Sequence, residues 1–159
     1  MKGNAKLLTV LNSLLADELT VINQYVVQSG MCANWGYSKL QQAFKKLAID
    51  EMHHAEWLIE RILFFDAAPT VSKLNLIKIG KTVLDMINND DNTELEVVST
   101  YNDAIKLARN LNDQGTVDLL TKILKMEEGH VDWAEIQRSQ IEQMGMENYL
   151  VNQAESPAN

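Results

Sequence analysis

The sequence predicts an all-α fold: a four-helix bundle with a long crossover after helix two and a short C-terminal fifth helix. Three observations carry this. Apolar residues recur at three- and four-residue steps through four long stretches, the period of a helix with one buried face. Only two prolines occur among 159 residues, Pro69 and Pro157, and both lie outside those stretches. The connections are unequal, two short and one long, and a long one can span the length of a bundle.

The first helix is predicted from Ala5 to about Asn34, with Leu7, Leu11, Leu14, Leu15, Ile22, Tyr25 and Val26 on its buried face. Trp35-Gly36-Tyr37-Ser38 reads as a turn, with Ser38 as the N-cap of helix two. That helix is predicted from about Lys39 to Phe65, burying Leu40, Phe44, Leu47, Leu58, Ile62 and Phe65. Asp66 to Gly80 breaks the period and contains Pro69, so it reads as the crossover. Helix three is predicted from about Lys81 to Asn110, facing inward with Val83, Ile87, Val98, Tyr101, Ile105 and Ala108. After a reversal at Asn112-Asp113-Gln114-Gly115, helix four runs from about Thr116 to Met144 on Leu120, Ile123, Leu124, Val131, Ala134 and Ile141. Gly145 ends it. Residues 147–153 form the short fifth segment and 154–159 a frayed tail, so the expectation is one domain over 1–159 with its bundle over about 5–144.

Composition narrows the function classes. Apolar residues at 46% and charged residues at 23% are ordinary for a globular chain and exclude disorder. A formal charge of −8 argues against nucleic acid and is compatible with attracting cations. A lone cysteine, Cys32, excludes an internal disulfide framework and a cysteine-rich metal site. No apolar run has membrane-span length, and the first residues lack the apolar segment of a secretory signal, so the expected compartment is the cytoplasm.

Against this background six side chains are out of place. On helical wheels at about 100° per residue, Glu18, Glu51, Glu94 and Glu127 each fall in the apolar stripe of their own helix, and His54 and His130 join two of them. The spacing repeats: Glu18 to Glu51 and Glu94 to Glu127 are both 33 residues. A shift of 76 carries Glu18, Glu51 and His54 onto Glu94, Glu127 and His130, and Tyr25 onto Tyr101. The halves read as a duplicated helical hairpin.

A buried ionised glutamate is costly, and four together repel one another. Two divalent cations balance four carboxylates. An oxygen-rich set with one imidazole per metal and no thiolate suits iron or manganese better than structural zinc. One glutamate on each of two helices plus Glu-x-x-His on each of the other two is the di-iron carboxylate pattern. A single Glu-x-x-His is a common accident; six inward residues with duplicated spacing are not.

Blander readings suffice elsewhere. His53 lies on the outward side of helix two, Cys32 reads as a partly buried thiol, and Lys45-Lys46 as a solvated stretch. Trp35 and Trp133 read as packing residues. Tyr25, two turns from Glu18 on the same face, reads as core with a phenol near the metals. Met52 sits about 100° from Glu51, off the bundle core. With Ile59 on its flank and Leu19, Ile22 and Val26 on helix one, it marks a second apolar stripe suited to burial against another subunit. The residues alone favour interface packing for Met52 over haem ligation.

Met1-Lys2-Gly3, Asn23-Gln24-Tyr25, Asn34-Trp35-Gly36, Ile49-Asp50-Glu51-Met52, Ile59-Glu60-Arg61-Ile62-Leu63, Glu127-Glu128-Gly129-His130, Asp132-Trp133 and Asn148-Tyr149-Leu150 resemble the bacterioferritins, the haem-binding branch of the ferritin-like proteins, over about residues 1–153. The six-residue donor set is shared across ferritin-like proteins; Met52 directly after Glu51 is the mark of the haem branch. The resemblance implies a shell of 24 subunits around an iron mineral, a ferroxidase site in each subunit, and a b-type haem shared between two subunits. It implies that Glu18 and Glu94 are terminal ligands, that Glu51 and Glu127 bridge, that His54 and His130 each bind one iron, and that Met52 from two copies gives both axial haem ligands. Two positions depart from the family pattern, as do Asp66-Ala67-Ala68-Pro69 and the loop after them. Lys46 stands where a histidine often pairs with Asp50 to hold iron on the cavity face, and Lys45 where an aromatic residue lies near the haem.

The expected function is iron storage with ferroxidase activity, oxidising Fe(II) to Fe(III) with O₂ or H₂O₂ in a homo-oligomer built from haem-bridged dimers. An electron-donor protein for iron release is a possible partner; no nucleic acid and no membrane are expected. The alternative is a di-iron oxygenase or peroxidase without a storage role, which predicts a small assembly and an apolar substrate pocket. A purely haem-carrying subunit predicts a broken donor set, and this set is whole.

Overall fold

The computed structural model describes residues 1–154; the expected frayed tail lies, apart from Ala154, outside the described residues, as does Pro157. Those residues form five helices and no strand: α1 (Ala5–Trp35), α2 (Ser38–Phe64), α3 (Val83–Asn110), α4 (Gln114–Met144) and α5 (Met146–Gln153).

The caps explain most of the boundaries. Asn4 Oδ1 accepts from the amides of Lys6 and Leu7 at 3.0 and 3.2 Å and starts α1. Gly36 ends it at φ 81°, in the left-handed region that glycine enters without steric cost. Ser38 is not the N-cap of α2 but its first residue. Tyr37 holds the cap position without a side-chain bond, so α2 relies on packing for its start. Helix α3 begins later than its apolar period suggests, because Thr82 and Asp85 form a reciprocal capping box that leaves Lys81 outside. Asp113 caps α4 through Thr116 N at 3.1 Å, drawing Gln114 and Gly115 into the helix.

Helices α1 and α2 pack as one hairpin, α3 and α4 as the other. The crossover runs along α1 in the same direction. Thr70 N donates to Asn12 Oδ1, Asn75 N to Thr20 Oγ1 and Lys78 N to Gln24 Oε1, at 2.7, 2.8 and 3.0 Å. The chain therefore arrives at the far end of α1, and α3 returns antiparallel to it. This connection makes α1 face α3, and α2 face α4.

The apolar core has two halves. One gathers Leu7, Leu11, Leu15, Leu58, Ile62, Ile105, Leu120 and Ile123; the other gathers Val21, Cys32, Phe44, Leu47, Met86, Ile87 and Tyr149. The layer between them is polar. Val26 does not join the core: it is 55% exposed, because it extends the lateral stripe rather than the central one. On α3 Val83 and Val97 are buried, and Val98 is half-buried beside Val97. Trp35 is exposed rather than packed, since it sits at the end of α1 against Tyr37.

Candidate metal centre

The polar layer holds Glu18 from α1, Glu51 and His54 from α2, Glu94 from α3, and Glu127 and His130 from α4, all buried. Each follows from helical register. Glu18 lies one turn beyond Leu14, Glu51 one turn beyond Leu47, and Glu127 one turn beyond Ile123 on stripes that face the axis. The two Glu-x-x-His pairs put carboxylate and imidazole one turn apart on the facing helices α2 and α4.

The donor atoms form two groups, each with its atoms within 4.8 Å of one another: Glu18, Glu51, His54 and Glu127, and Glu51, Glu94, Glu127 and His130. Glu51 and Glu127 belong to both. His54 Nδ1 lies 2.7 Å from Glu51, 2.9 Å from Glu127 and 3.5 Å from Glu18. His130 Nδ1 lies 2.9 Å from Glu51, 3.1 Å from Glu127 and 4.0 Å from Glu94. The imidazole rings are 6.0 Å apart and nearly parallel at 26°.

Proximity is matched by hydrogen bonding only in part, as between His130 Nδ1 and Glu127 at 3.1 Å. Both oxygens of Glu51, Glu94 Oε2, Glu127 Oε1 and His54 Nδ1 are buried without a hydrogen-bond partner. Buried polar atoms are rarely left so, and their shortfall is a free-energy cost. A divalent cation within each group would supply the missing partner, and the donor chemistry, carboxylate oxygen with one neutral imidazole nitrogen, fits hard to borderline divalent metals.

The electrostatics carry the same mark. Burial lifts the Glu18 carboxyl well above its usual range, and the neighbouring Glu127 and Glu51 add to the rise. Glu94 is lifted likewise, by burial and then by Glu51 and Glu127. Burial works against the charge on His54, but its contacts with Glu127, Glu18 and Glu51 outweigh it and push the imidazole up to about 12. His130 is pushed up to about 11 by Glu127 and Glu51 against the same opposing burial. Glu51, although buried, is held down to about 2 by His130 and His54. In the metal-free layer protons thus take over part of the charge balance.

Two tyrosines complete the layer, and sequence reasoning places only one of them near it. Tyr25 Oη donates to Glu94 on α3, not to Glu18 on its own helix. Tyr101 Oη donates to Glu18 in the mirror arrangement. The shift that carries Tyr25 onto Tyr101 contains this signal, but a helical wheel says nothing about which neighbouring helix a phenol reaches. Behind the histidines, His54 Nε2 lies 3.4 Å from Met126 Sδ, and His130 Nε2 lies 3.4 Å from Asp50 Oδ2. Lys46 Nζ is 2.9 Å from that same Asp50 oxygen, so the pair that the family pattern uses for iron is here an ion pair.

Another buried polar group has no counterpart in the sequence reading. Gln24 and Gln28 donate to Asp90 Oδ1 at 2.7 and 2.9 Å, one turn along α3 from Glu94. Burial raises the Asp90 carboxyl to about 7. Outside the centre, Met52 is 47% exposed, on the same side as the exposed Val26 and the half-buried Leu19, Ile22 and Ile59. His53 is exposed against Glu56 and Trp57. Cys32 is fully rather than partly buried, because it sits in the core cluster with Leu40, Phe44 and Tyr149. Trp133 packs edge-on against Phe44.

An all-helical bundle with a duplicated carboxylate–histidine layer defines a ferritin-like protein. A family model described as a ferritin-like domain matches residues 8–144. The chain is 40% identical to "Bacterial ferritin" of Synechocystis sp. over 154 residues, 96% of this chain and 99% of that one. It is 37% identical to "Bacterioferritin" of Mycolicibacterium paratuberculosis over 149 residues, 94% of each chain. It is 33% identical to "Bacterioferritin" of Brucella melitensis biotype 1, covering 94% of this chain and 92% of that one. The chain belongs to the bacterioferritins.

Proposed function

We propose that this chain is an iron-storage ferroxidase. Its substrates are two Fe(II) ions held in the central layer and an oxidant, O₂ or H₂O₂, that takes one electron from each. The observation that carries this reading is the gathering of buried donors from four helices, several of their atoms without a hydrogen-bond partner, into two groups that share Glu51 and Glu127.

In this reading Glu18 and Glu94 each close one metal position, Glu51 and Glu127 span both, and His54 and His130 give one nitrogen apiece. Tyr101 and Tyr25 orient the terminal carboxylates by donating to one oxygen and leaving the other for metal. Fe(II) binding displaces the protons that hold the layer together when it is empty of metal. The Fe(III) product passes on to the cavity as mineral.

The whole chain is read as one ferritin-like domain over 1–159, assembled into a cytoplasmic homo-oligomeric shell of 24 copies; among the described residues no helix is long and apolar enough to cross a membrane. Met52 is read as the axial ligand of a b-type haem lying between two copies. An exposed thioether in an apolar flank is a suitable donor for haem iron, and a two-fold axis brings the same flank from both copies together. Such a haem transfers electrons from a donor protein to stored Fe(III). Size and iron load together test the function. Twenty-four chains of 18.0 kDa come to about 430 kDa. A species of that size that retains iron after Fe(II) and air supports storage; a small species that oxidises iron without retaining it supports the oxygenase or peroxidase alternative.

A further inference from the structure

We infer that the two metal positions are unequal: the one closed by His130 binds a divalent cation more tightly than the one closed by His54, because Asp50 backs the first histidine and Met126 the second. The inference rests on the metal-binding reading above and adds to it an order of occupation.

The duplication is the starting point. A shift of 76 residues preserves all six donors and both tyrosines, yet it carries Asp50 onto Met126. The symmetry of the centre therefore breaks behind the ligands. Each position has one terminal glutamate tied to one tyrosine, two shared carboxylates and one imidazole Nδ1. What differs is the group facing each imidazole's other nitrogen. His130 Nε2 faces a carboxylate oxygen at 3.4 Å, and His54 Nε2 faces a thioether sulfur at 3.4 Å.

A carboxylate behind a ligating histidine fixes the tautomer with its proton on the outer nitrogen. It also makes the inner nitrogen a stronger donor, and loss of such a partner typically costs about 10- to 100-fold in metal affinity. A thioether accepts a hydrogen bond weakly and carries no charge, so it does neither well. Lys46 binds the same Asp50 oxygen and holds the carboxylate in place. Its side chain is 77% exposed, so its charge is screened and leaves most of the Asp50 effect intact. Asp50, Met126, Gly129 and His130 line one open cavity of about 430 Å³. A carboxylate introduced at position 126 therefore has room and access to water.

Co(II) is a suitable probe, since its visible absorption reports binding without any oxidation chemistry. The metal-free assembled protein, titrated with Co(II), is expected to fill in two steps separated by about 10-fold or more. Anomalous scattering from crystals loaded with one Co(II) per chain is expected to place it beside His130. Asp50→Ala is expected to weaken the tighter step toward the other, and Met126→Asp to tighten the weaker one. Equal steps in the unaltered protein, first occupation beside His54, or an Asp50→Ala titration identical to the parent overturns the inference. These read out even if Met126→Asp fails to fold. Two equal steps leave the metal centre itself standing, whereas no Co(II) bound in the layer removes that reading as well.

Discussion

The Tyr101 hydroxyl on α3 donates a hydrogen bond to Glu18 on α1, joining residues 83 apart in sequence across the centre of the bundle. Tyr25 on α1 donates to Glu94 on α3 in the opposite direction. Glu18 and Glu94, the two carboxylates proposed to close the metal positions, are thus each held by the helix that carries the other one. This cross-tie exists only because the long crossover brings α3 back antiparallel beside α1.

Tyr101→Phe is expected to lower the stability of the metal-free protein by about 1–3 kcal/mol, because it leaves a buried Glu18 oxygen without a partner. Tyr25→Phe is expected to act alike through Glu94. Chemical unfolding of the metal-free protein measures both; parent-like midpoints would show that water reaches these oxygens.

Glu18→Ala and Glu94→Ala are each expected to slow Fe(II) oxidation by about 100-fold or more, since each removes a direct ligand where even outer partners matter 10- to 100-fold. The fold is expected to persist, because deleting a buried acid also relieves repulsion among those that remain. Stopped-flow oxidation at two Fe(II) per chain is the measurement. A folded variant that oxidises iron at the parent rate contradicts the ligand assignment.

The pH dependence has a definite sign. His54 and His130 are raised to about 12 and 11 in the folded metal-free protein, so their contribution is complete below the ordinary imidazole value and is lost as pH rises toward those values. Glu18 and Glu94, also raised, bind protons that the unfolded chain has released, and this too favours lower pH. Glu51 acts oppositely, but its contribution is lost only as pH falls toward about 2. Metal-free stability is therefore expected to fall from pH 6.5 to 9, and metal-loaded stability to fall less, because metal replaces the protons. Calorimetric unfolding across that range checks it, and a flat metal-free profile would contradict it. Metal binding at pH 7 is also expected to release protons, visible as a dependence of the binding heat on buffer ionisation enthalpy.

Met52→Leu keeps the apolar volume of the flank and removes the thioether. It is expected to abolish haem binding, from half a haem per chain to none, as read by pyridine-haemochrome titration. Retention of half a haem with an unchanged spectrum would reduce Met52 to a packing residue.

The four helices and the six inward residues are legible in the sequence because both are expressed in the helical period itself. Glu51 and His54 share a face by spacing alone, whatever they meet. What spacing cannot express is the partner across the bundle. That Tyr25 reaches Glu94, that Met126 lies behind His54, and that Gln24 and Gln28 close on Asp90 all depend on how α1, α2, α3 and α4 are set against one another. Helix starts depart from the apolar period for a local reason: Ser38 has a capping side chain but enters the helix itself, while the Thr82–Asp85 box delays α3 past Lys81. Val26 is exposed although it fits the apolar period, because two apolar stripes adjoin on α1 and periodicity does not distinguish the one that faces the core from the one that faces outward.

The central claim is that Glu18, Glu51, His54, Glu94, Glu127 and His130 hold two iron ions in each chain. Crystals soaked anaerobically with Fe(II), with anomalous scattering recorded at the iron edge, test it most directly. The expected result is two iron peaks in the polar layer, one among Glu18, Glu51, His54 and Glu127 and the other among Glu51, Glu94, Glu127 and His130. Iron bound only on the outer or cavity surface, with that layer free of anomalous signal, would contradict it.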